Sequence, residues 1–213
     1  MDFIREAGDT SWCLHQGYIK PHWLYIVPAP YHAMYPPKTH ASVVRNEAER
    51  AKVIGGYIGL LKQIDDQLGE LMAFLDAAGK TDDTMIIFTS DHGDYLGDHW
   101  MGEKELFHDA SACILLIVVD PRPDADGTRG LKTGTLVEAI DLAPTILEYF
   151  GGAEVPHIIE GQPLSKITHG TQTSVREFAV SEYDYAFRQI RRRLGVEIAD
   201  AKEALANDPD MIG

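Results

Sequence analysis

Apolar residues recur at helical spacing between residues 45 and 78, with charged residues interleaved between them. This pattern predicts a long amphipathic helix with one face on a sheet and the other in water. Gly79 and Lys80 supply the stop signal expected at a helix C-terminus. The apolar positions that predict the buried face are Ile54, Tyr57, Ile58, Leu61, Leu68, Leu71, Met72 and Leu75.

Two short apolar runs bounded by polar residues follow the helix, one beginning at Thr84 and one at residues 114–119. Runs of this length are typical of buried strands in an α/β sheet. Together with the long helix they predict an α/β fold, with a mostly parallel sheet flanked by helices. Weaker patterns predict further strands at residues 13–18, 133–137 and 178–183, and helices at residues 141–150 and 196–206.

Length, net charge and cysteine content limit the kinds of molecule that this chain can bind. The 213 residues suffice for one α/β domain, and the net charge of −14 argues against a surface for nucleic acid or anionic membrane. We find no apolar run of membrane-spanning length and no signal-peptide pattern at the start, so we expect a cytoplasmic protein with no membrane partner. Cys13 and Cys113 are far apart and lack metal-ligand spacing.

Asp91 and His92 follow the strand that begins at Thr84, where open α/β sheets keep their ligand sites. A carboxylate oxygen beside an imidazole nitrogen suits a divalent cation, and Mn²⁺, Zn²⁺, Mg²⁺ and Ca²⁺ all remain open. Gly93 allows the sharp turn and a close approach of backbone. The alternative is an aspartate that caps the turn beside a solvated histidine.

Lys104 and His22 are the candidate catalytic residues. A lysine near a metal-bound ester can hold an ester oxygen and stabilise charge on the leaving group. A histidine can protonate that leaving group near neutral pH. Their alternatives are a solvated lysine and an ordinary loop histidine. We expect His99 to stabilise the loop and His108 to support the site indirectly.

Ester hydrolysis needs an activated nucleophile, and the chain contains no GxSxG, P-loop, GxGxxG or HExxH motif. Both cysteines lie in apolar runs predicted to be strands, where a buried thiol is inert. The arginines at residues 191–193 are expected to form a solvated helix face, and the alternative is a surface that faces an acidic partner.

A resemblance rests on several motifs together. From Phe88 the chain reads FTSDHGDYLGDHWMGEKELFHD, and from Ile140 it reads IDLAPTILEYFGG; it also contains KPHWLYIVPAPYHAMY and SEYDYAFR. In these motifs the chain resembles the sulfatase and phosphonate monoester hydrolase family of the alkaline phosphatase superfamily, over nearly its whole length. The SDHGxxLGxH stretch with its trailing lysine is specific, and the other motifs support it.

The resemblance implies an incomplete alkaline-phosphatase-like core. Residues 1–170 would form the C-terminal half of the catalytic domain, and residues 171–213 would begin a C-terminal subdomain. Asp91 and His92 would be two metal ligands, while Lys104 and His22 would contact the sulfuryl or phosphoryl oxygens and the leaving group. In that family the other ligands and the nucleophile lie in an N-terminal half that nothing before Asp91 matches, so we expect a chain truncated at both ends.

Two positions depart from the family pattern. Leu24 stands where the family usually has proline after the histidine motif, and residues 113–116 read Cys-Ile-Leu-Leu where the family tends to have Arg-x-Pro-Leu. Fewer prolines leave the backbone around His22 and the site loop less restrained.

The resemblance implies a metallohydrolase of small-molecule sulfate, phosphate or phosphonate esters, with little activity from this chain alone. One alternative is a non-catalytic fragment or pseudoenzyme that acts as a binding or assembly module. Another is a phosphodiesterase or phosphomutase of the same superfamily. An incomplete sheet would expose apolar surface, so we also expect either self-association into a homo-oligomer or poor solubility.

Overall fold

The computed structural model describes residues 1–22, 24–35, 46–104, 106–153 and 157–182. The chain divides into two compact units, Met1–Ala179 and Val180–Gly213. The described residues belong to the first unit except for residues 180–182. The arginines at residues 191–193 and the helix expected at residues 196–206 lie outside the described residues, and the domain boundary after residue 170 stays a prediction.

The long helix predicted from the apolar pattern is confirmed. After the short N-terminal helix α1 (Asp2–Ala7), helix α2 runs through Glu47–Ala77. Asn46 caps its start, because the Asn46 side chain accepts a hydrogen bond from the backbone N–H of Glu49. Gly79, with φ of +65°, reverses the chain just after the helix, as expected for a glycine in the left-handed region.

The buried face of α2 differs from the predicted face. Leu75 is buried as expected, but the other buried apolar side chains are Val53, Leu60 and Ile64, whereas Ile58, Leu61 and Met72 are exposed. The core that contains Val53 and Leu60 is built on Tyr25 rather than on the two strands. Glycines explain the difference, because the face of α2 that packs most closely contains Gly56 and Gly59, which have no apolar side chain to show in the pattern. A Cβ on Gly56 would lie 3.0 Å from Tyr25 Cβ, and one on Gly59 would lie 2.9 Å from Val27 Cγ1.

The sheet of the described residues is one pair of strands. Strands β1 (Ile86–Thr89) and β2 (Leu116–Val119) lie where the two apolar runs predicted them. They pair antiparallel, with Ile86 opposite Val119 and Thr89 opposite Leu116, whereas we expected mostly parallel pairing. The connection, residues 90–115, is long enough for a crossover, but among its described residues it contains only a one-turn 3-10 helix and the four-residue helix α3 (Asp109–Ala112), whereas parallel neighbours are usually joined by a longer helix.

The weaker strand predictions are wrong for the described residues. Residues 13–18, 133–137 and 178–182 form no strand there, and Tyr183, the last residue of the third run, lies outside the described part. Leu14 and Phe178 are exposed. Residues with strand propensity form a strand only where a partner strand pairs with them, so the local pattern alone was insufficient.

The remaining helices pack around two buried carboxylates. Helix α4 (Leu142–Tyr149) confirms the helix predicted at residues 141–150, and α5 (Ser165–Thr168) follows it. Asp120, at the end of β2, accepts hydrogen bonds from Arg122 and Thr168 and contacts His169 Nε2 at 3.1 Å. Asp141 accepts from the backbone N–H groups of Glu138 and Gln162, each at 2.8 Å, and pairs with Arg176. Among the described helices, none is long and apolar enough to cross a membrane.

Candidate active site

The turn after β1 presents Asp91 and His92. The Asp91 side chain is 86% exposed, and its Oδ2 lies 3.4 Å from His92 Nε2. The other ring nitrogen, Nδ1 of His92, lies 2.7 Å from the carbonyl oxygen of Gly93. Because a carbonyl oxygen only accepts, Nδ1 donates to it, which fixes the ring and leaves Nε2 on the side of Asp91.

Gly93 is required by a close approach of two backbones. Its N–H donates to the carbonyl of Ser111 at 2.8 Å. A Cβ at Gly93 would lie 2.1 Å from the carbonyl oxygen of Ala110, well inside contact distance. The expected role of Gly93 in allowing close approach is thus seen directly, and it fixes the turn that carries His92 against α3.

His22 reaches the same place from the N-terminal segment. Lys20 Nζ lies 3.4 Å from the carbonyl oxygens of both His22 and Leu24, which stabilises the turn that carries the ring. The His22 ring meets the His92 ring edge-on, with 6.2 Å between centroids. Lys104 Nζ lies 3.0 Å from His22 Nε2. The fold thus brings together His22, His92 and Lys104, with Asp91 beside them.

Two donors in this cluster have the chemistry for a divalent cation. Ligand atoms that share one ion at roughly 2.0–2.2 Å lie about 3 Å or slightly more apart, and the Asp91 to His92 separation of 3.4 Å is close to that value. Within the part of the chain that the structure describes, no group of three or more His, Cys, Asp or Glu side chains could hold a metal. The pair therefore fits a metal as a partial set of ligands.

A hydrogen bond that the sequence did not reveal connects the two halves of the cluster. Tyr25 Oη donates to Asp94 Oδ2 at 2.8 Å. Burial, followed by the neighbouring Asp94 carboxylate, raises the pKa of Tyr25 far above its ordinary value, so the hydroxyl keeps its proton. The available signal was a tyrosine in an otherwise apolar segment three residues after His22, because a buried tyrosine hydroxyl needs a partner.

The loop that returns the chain to Lys104 is held by several contacts. The N–H of Tyr95 donates to the carbonyl of Glu103 at 2.9 Å, and Arg50 on α2 pairs with Asp98. Positive φ values between +47° and +60° occur in this loop at five non-glycine residues, a conformation that is costly and often found at functional sites. These residues are Leu96, His99, Trp100, Glu103 and Leu106.

His99 and His108 stack on each other in this loop, with ring centroids 4.2 Å apart. Tyr95 Oη lies 2.8 Å from His108 Nδ1. The two rings line an open cleft of about 600 Å³ together with Asp98, Phe107 and Asp109. These contacts are compatible with the loop-stabilising role expected of His99, and both roles stay predictions.

The cysteines are placed differently from the expectation. Both Cys13 and Cys113 are exposed, so neither is buried in a strand. Desolvation and the neighbouring Asp109 carboxylate raise the pKa of the Cys113 thiol. A raised pKa disfavours the thiolate, so this thiol is a poor nucleophile for a different reason from the one predicted.

Known proteins resemble this chain over most of its length. The family model described as Sulfatase matches residues 1–153. The multifunctional alkaline phosphatase superfamily protein PehA of Trinickia caryophylli is 32% identical over 223 aligned residues, which cover 87% of this chain and 43% of PehA.

Solved structures extend the likeness to the fold. The phosphonate monoester hydrolase of Agrobacterium radiobacter superposes with a TM-score of 0.72 and 24% identity, over 93% of this chain and 47% of that one. The phosphonate monoester hydrolase of Silicibacter pomeroyi superposes with a TM-score of 0.65 and 25% identity, over 85% of this chain and 40% of that one.

The matches cover most of this chain but less than half of PehA and of each phosphonate monoester hydrolase. The predicted fold class, an incomplete alkaline-phosphatase-like α/β core, is confirmed by these structures, although the described strands form a small sheet. Because the family model spans well over half of the chain, the likeness does not depend on the short site motif alone. The chain belongs to the sulfatase family.

Proposed function

We propose that this chain carries part of the active site of a hydrolase that cleaves small-molecule sulfate or phosphonate esters. The observation that carries the proposal is the contact of Lys104 Nζ with His22 Nε2, at 3.0 Å, beside the Asp91 and His92 pair. These residues come from segments far apart in sequence and meet at the end of β1. Membership of the sulfatase family supports the same reaction class.

Lys104 and His22 supply the cationic and proton-carrying part of this site. A lysine ammonium has three N–H donors, and His22 Nε2 accepts one of them. The other two donors can hold the oxygens of a sulfuryl or phosphonyl group and stabilise charge that develops on them. The His22 ring can pass a proton to the leaving-group oxygen, because imidazoles exchange protons near neutral pH.

Asp91 and His92 would hold a divalent metal ion in the proposed site. A carboxylate and an imidazole suit Ca²⁺, Mn²⁺, Zn²⁺ and Mg²⁺ to different degrees, and the donor types do not select one. When bound, such an ion polarises the ester and lowers the pKa of a nucleophile.

We further propose that the isolated chain hydrolyses esters very slowly or not at all. The described residues supply two metal donors to this site, fewer than a divalent ion needs, and the sequence contains no recognisable activated nucleophile. Rapid ester hydrolysis by this chain that Asp91→Ala abolished would overturn this statement. A non-catalytic binding module is the alternative, and it predicts anion binding without turnover under all conditions.

The test of the proposed site is binding of a small aryl anion that resembles a substrate or a product. Phenyl sulfate, an ester, and phenylphosphonate, a product-like anion, are titrated into the full chain with diamagnetic Mg²⁺ present, and binding is followed by NMR. We expect Lys104→Ala to weaken binding about tenfold, the loss of one charge-assisted contact. The matched control is Lys132→Ala, an exposed loop lysine, which should leave binding unchanged.

Equal affinities of the wild type and Lys104→Ala for both anions would contradict the proposed site. Tighter binding of a phosphate diester than of either phenylphosphonate or phenyl sulfate would favour a phosphodiesterase, the alternative function within this superfamily. Turnover of aryl sulfate, aryl phosphonate and phosphate diester is measured in parallel.

We also propose that the chain self-associates through its strands. Ile117 and Val119 project from one face of β2 and are exposed, and Ile117 is 55% accessible. Apolar strands with uncovered faces favour pairing between copies. Sedimentation velocity that shows only monomer at high micromolar concentration would contradict this proposal.

A further inference from the structure

The segment that carries His22 and the loop that carries Lys104 are joined by the hydrogen bond from Tyr25 to Asp94. Tyr25 follows His22 by three residues, and Asp94 follows His92 by two. The bond therefore joins the two segments within three residues of His22 and two residues of His92. A structural link at this point can decide whether two side chains that are 82 positions apart in sequence stay in contact.

The position of the Tyr25 hydroxyl is fixed by the core. Tyr25 is 2% exposed, and its ring packs with Val53 and Leu60 of helix α2. Tyr57 meets the ring edge-on, with 6.2 Å between centroids. Gly56 allows this packing, because a Cβ there would lie 3.0 Å from Tyr25 Cβ. The hydroxyl therefore holds a fixed place relative to helix α2, the longest of the described helices.

Asp94 transmits that position to the loop. Its second oxygen, Oδ1, accepts a hydrogen bond from the N–H of Leu96 at 3.0 Å, which sets the start of the loop. The N–H of Tyr95, the residue after Asp94, donates to the carbonyl of Glu103 at 2.9 Å. Glu103 immediately precedes Lys104. The backbone hydrogen bond between Tyr95 and Glu103 thus connects the neighbour of Asp94 with the neighbour of Lys104, and so ties the backbone position of Lys104 to Asp94.

We propose that Tyr25 and Asp94 form a positioning pair that holds Lys104 Nζ against His22 Nε2. Neither residue touches a substrate; they act through the two side chains that would. The inference deepens the proposed function, on which its catalytic meaning rests. The claim that Tyr25 and Asp94 hold the contact between Lys104 and His22 does not depend on that function, since the contact lies within the protein.

The contact has a signature that can be measured without turnover. A lysine ammonium has donors only, so Nε2 of a neutral His22 must accept, and the ring proton must lie on Nδ1. A freely solvated imidazole favours the tautomer with its proton on Nε2. Long-range ¹H–¹⁵N correlation spectra of the histidine-labelled full chain at about pH 8, where imidazoles are neutral, distinguish the two forms.

We compare the wild type with Tyr25→Phe, Asp94→Ala and Asp94→Asn, and assign the His22 signals with His22→Gln. The wild type should have His22 mainly with its proton on Nδ1. Tyr25→Phe and Asp94→Ala should lose that form as the majority species. Asp94→Asn should retain it, because the amide oxygen can accept from Leu96 and the amide nitrogen can donate to Tyr25 Oη.

The matched control is Tyr149→Phe. Tyr149 Oη donates to the carbonyl of Asp83 at 2.8 Å, so this variant also loses one tyrosine hydrogen bond but does so away from the site. We expect it to leave the His22 tautomer unchanged. Thermal unfolding of every variant identifies any that fails to fold, and Asp94→Asn serves as the folded comparison for Asp94→Ala.

The proposal is overturned if Tyr25→Phe, while folded, keeps the wild-type tautomer. It is also overturned if Tyr149→Phe alters the tautomer equally, because the effect would then reflect general loosening. Failure of the proposed function looks different. In that case no variant, including the wild type, binds the anionic probes in a Lys104-dependent manner, while the tautomer pattern can still follow Tyr25 and Asp94.

Discussion

An exposed aspartate lies at the candidate site, whereas the helical region after β2 contains two buried aspartates. In the helical region, the side chains of Asp120 and Asp141 are 1% and 0% exposed. Asp120 is held by Arg122, and Asp141 by two backbone N–H groups and Arg176. At the site, Asp91 is 86% exposed.

The difference separates structural from functional carboxylates. A buried carboxylate costs free energy unless its oxygens are hydrogen-bonded or paired, and both buried aspartates meet that requirement. Asp91 keeps much of its surface open, beside an imidazole whose Nε2 lies 3.4 Å away. Open acceptor atoms beside one another are what a ligand needs, so the exposed carboxylate is the better candidate for function.

The largest expected effect concerns Asp141. Asp141→Ala removes one of the two carboxylates that pair with Arg176, leaving Glu138, and it removes the acceptor for the Glu138 and Gln162 N–H groups. We expect the free energy of unfolding to fall by about 3–5 kcal/mol, because two backbone N–H groups and a buried guanidinium lose a partner together. Urea denaturation measures this change. Asp91→Ala is the comparison, and an equal loss in that variant would remove the distinction between the two regions.

The next effect is the acid sensitivity of Asp120. Burial acts to raise the pKa of Asp120, but hydrogen bonds from Arg122 and His169 outweigh it and lower the pKa to about 2. Because the folded pKa lies below the ordinary aspartate value of 3.8, Asp120 stabilises the fold above that pH and loses this contribution as pH falls toward 2.

The shift corresponds to about 2 kcal/mol at neutral pH. We therefore expect the unfolding free energy of the wild type to fall about 2 kcal/mol more than that of Asp120→Asn between roughly pH 5 and pH 2. Denaturant unfolding across this pH range measures the difference. Parallel pH profiles for the two proteins would show that Asp120 is not the stabilising group.

A smaller effect is expected from two glycines, one in each of the two regions. A Cβ on Gly93, at the site, or on Gly161, beside Asp141, would lie 2.1 Å from a backbone carbonyl oxygen in each case. Overpacking of this kind costs roughly 1–3 kcal/mol. We expect Gly161→Ala mainly to lower the melting temperature and Gly93→Ala mainly to weaken ligand binding, because it displaces the turn that carries His92.

Calorimetric melting and anion titration of both glycine variants test this expectation. Gly69→Ala serves as the control, since a Cβ at Gly69 meets no atom within 4 Å. Identical profiles for Gly93→Ala and Gly161→Ala would mean that the two regions respond as one unit.

Much of the fold follows from the sequence because the helix and the two strands rest on local pattern. Helix α2 and strands β1 and β2 lie where apolar spacing placed them. The packing of α2 on Tyr25 and the antiparallel register could not be predicted, because both depend on which segments meet in three dimensions. Residues 13–18 show the same limit, since the strand predicted there has no partner strand in the described chain.

The sequence predicted the residues of the candidate site one by one, but it did not predict the hydrogen bonds that hold them in place. Asp91, His92, Lys104 and His22 were each chosen by residue type and by motif, and the fold brings them together. Tyr25 was missed because a tyrosine in an apolar segment signals core packing first. Its contact with Asp94 joins residues 69 positions apart, a distance at which sequence pattern carries no information.

The most direct test of the central claim is a calorimetric titration of Mn²⁺ into three proteins: the full wild-type chain, Asp91→Ala and Asp124→Ala. Asp124 is an exposed aspartate away from the site. Two donors should bind the ion weakly, with a Kd of about 1 mM or above. We predict that Asp124→Ala binds like the wild type and that Asp91→Ala loses the binding. Equal binding by Asp91→Ala and the wild type would contradict the assignment of Asp91 and His92 as the metal-binding part of the site.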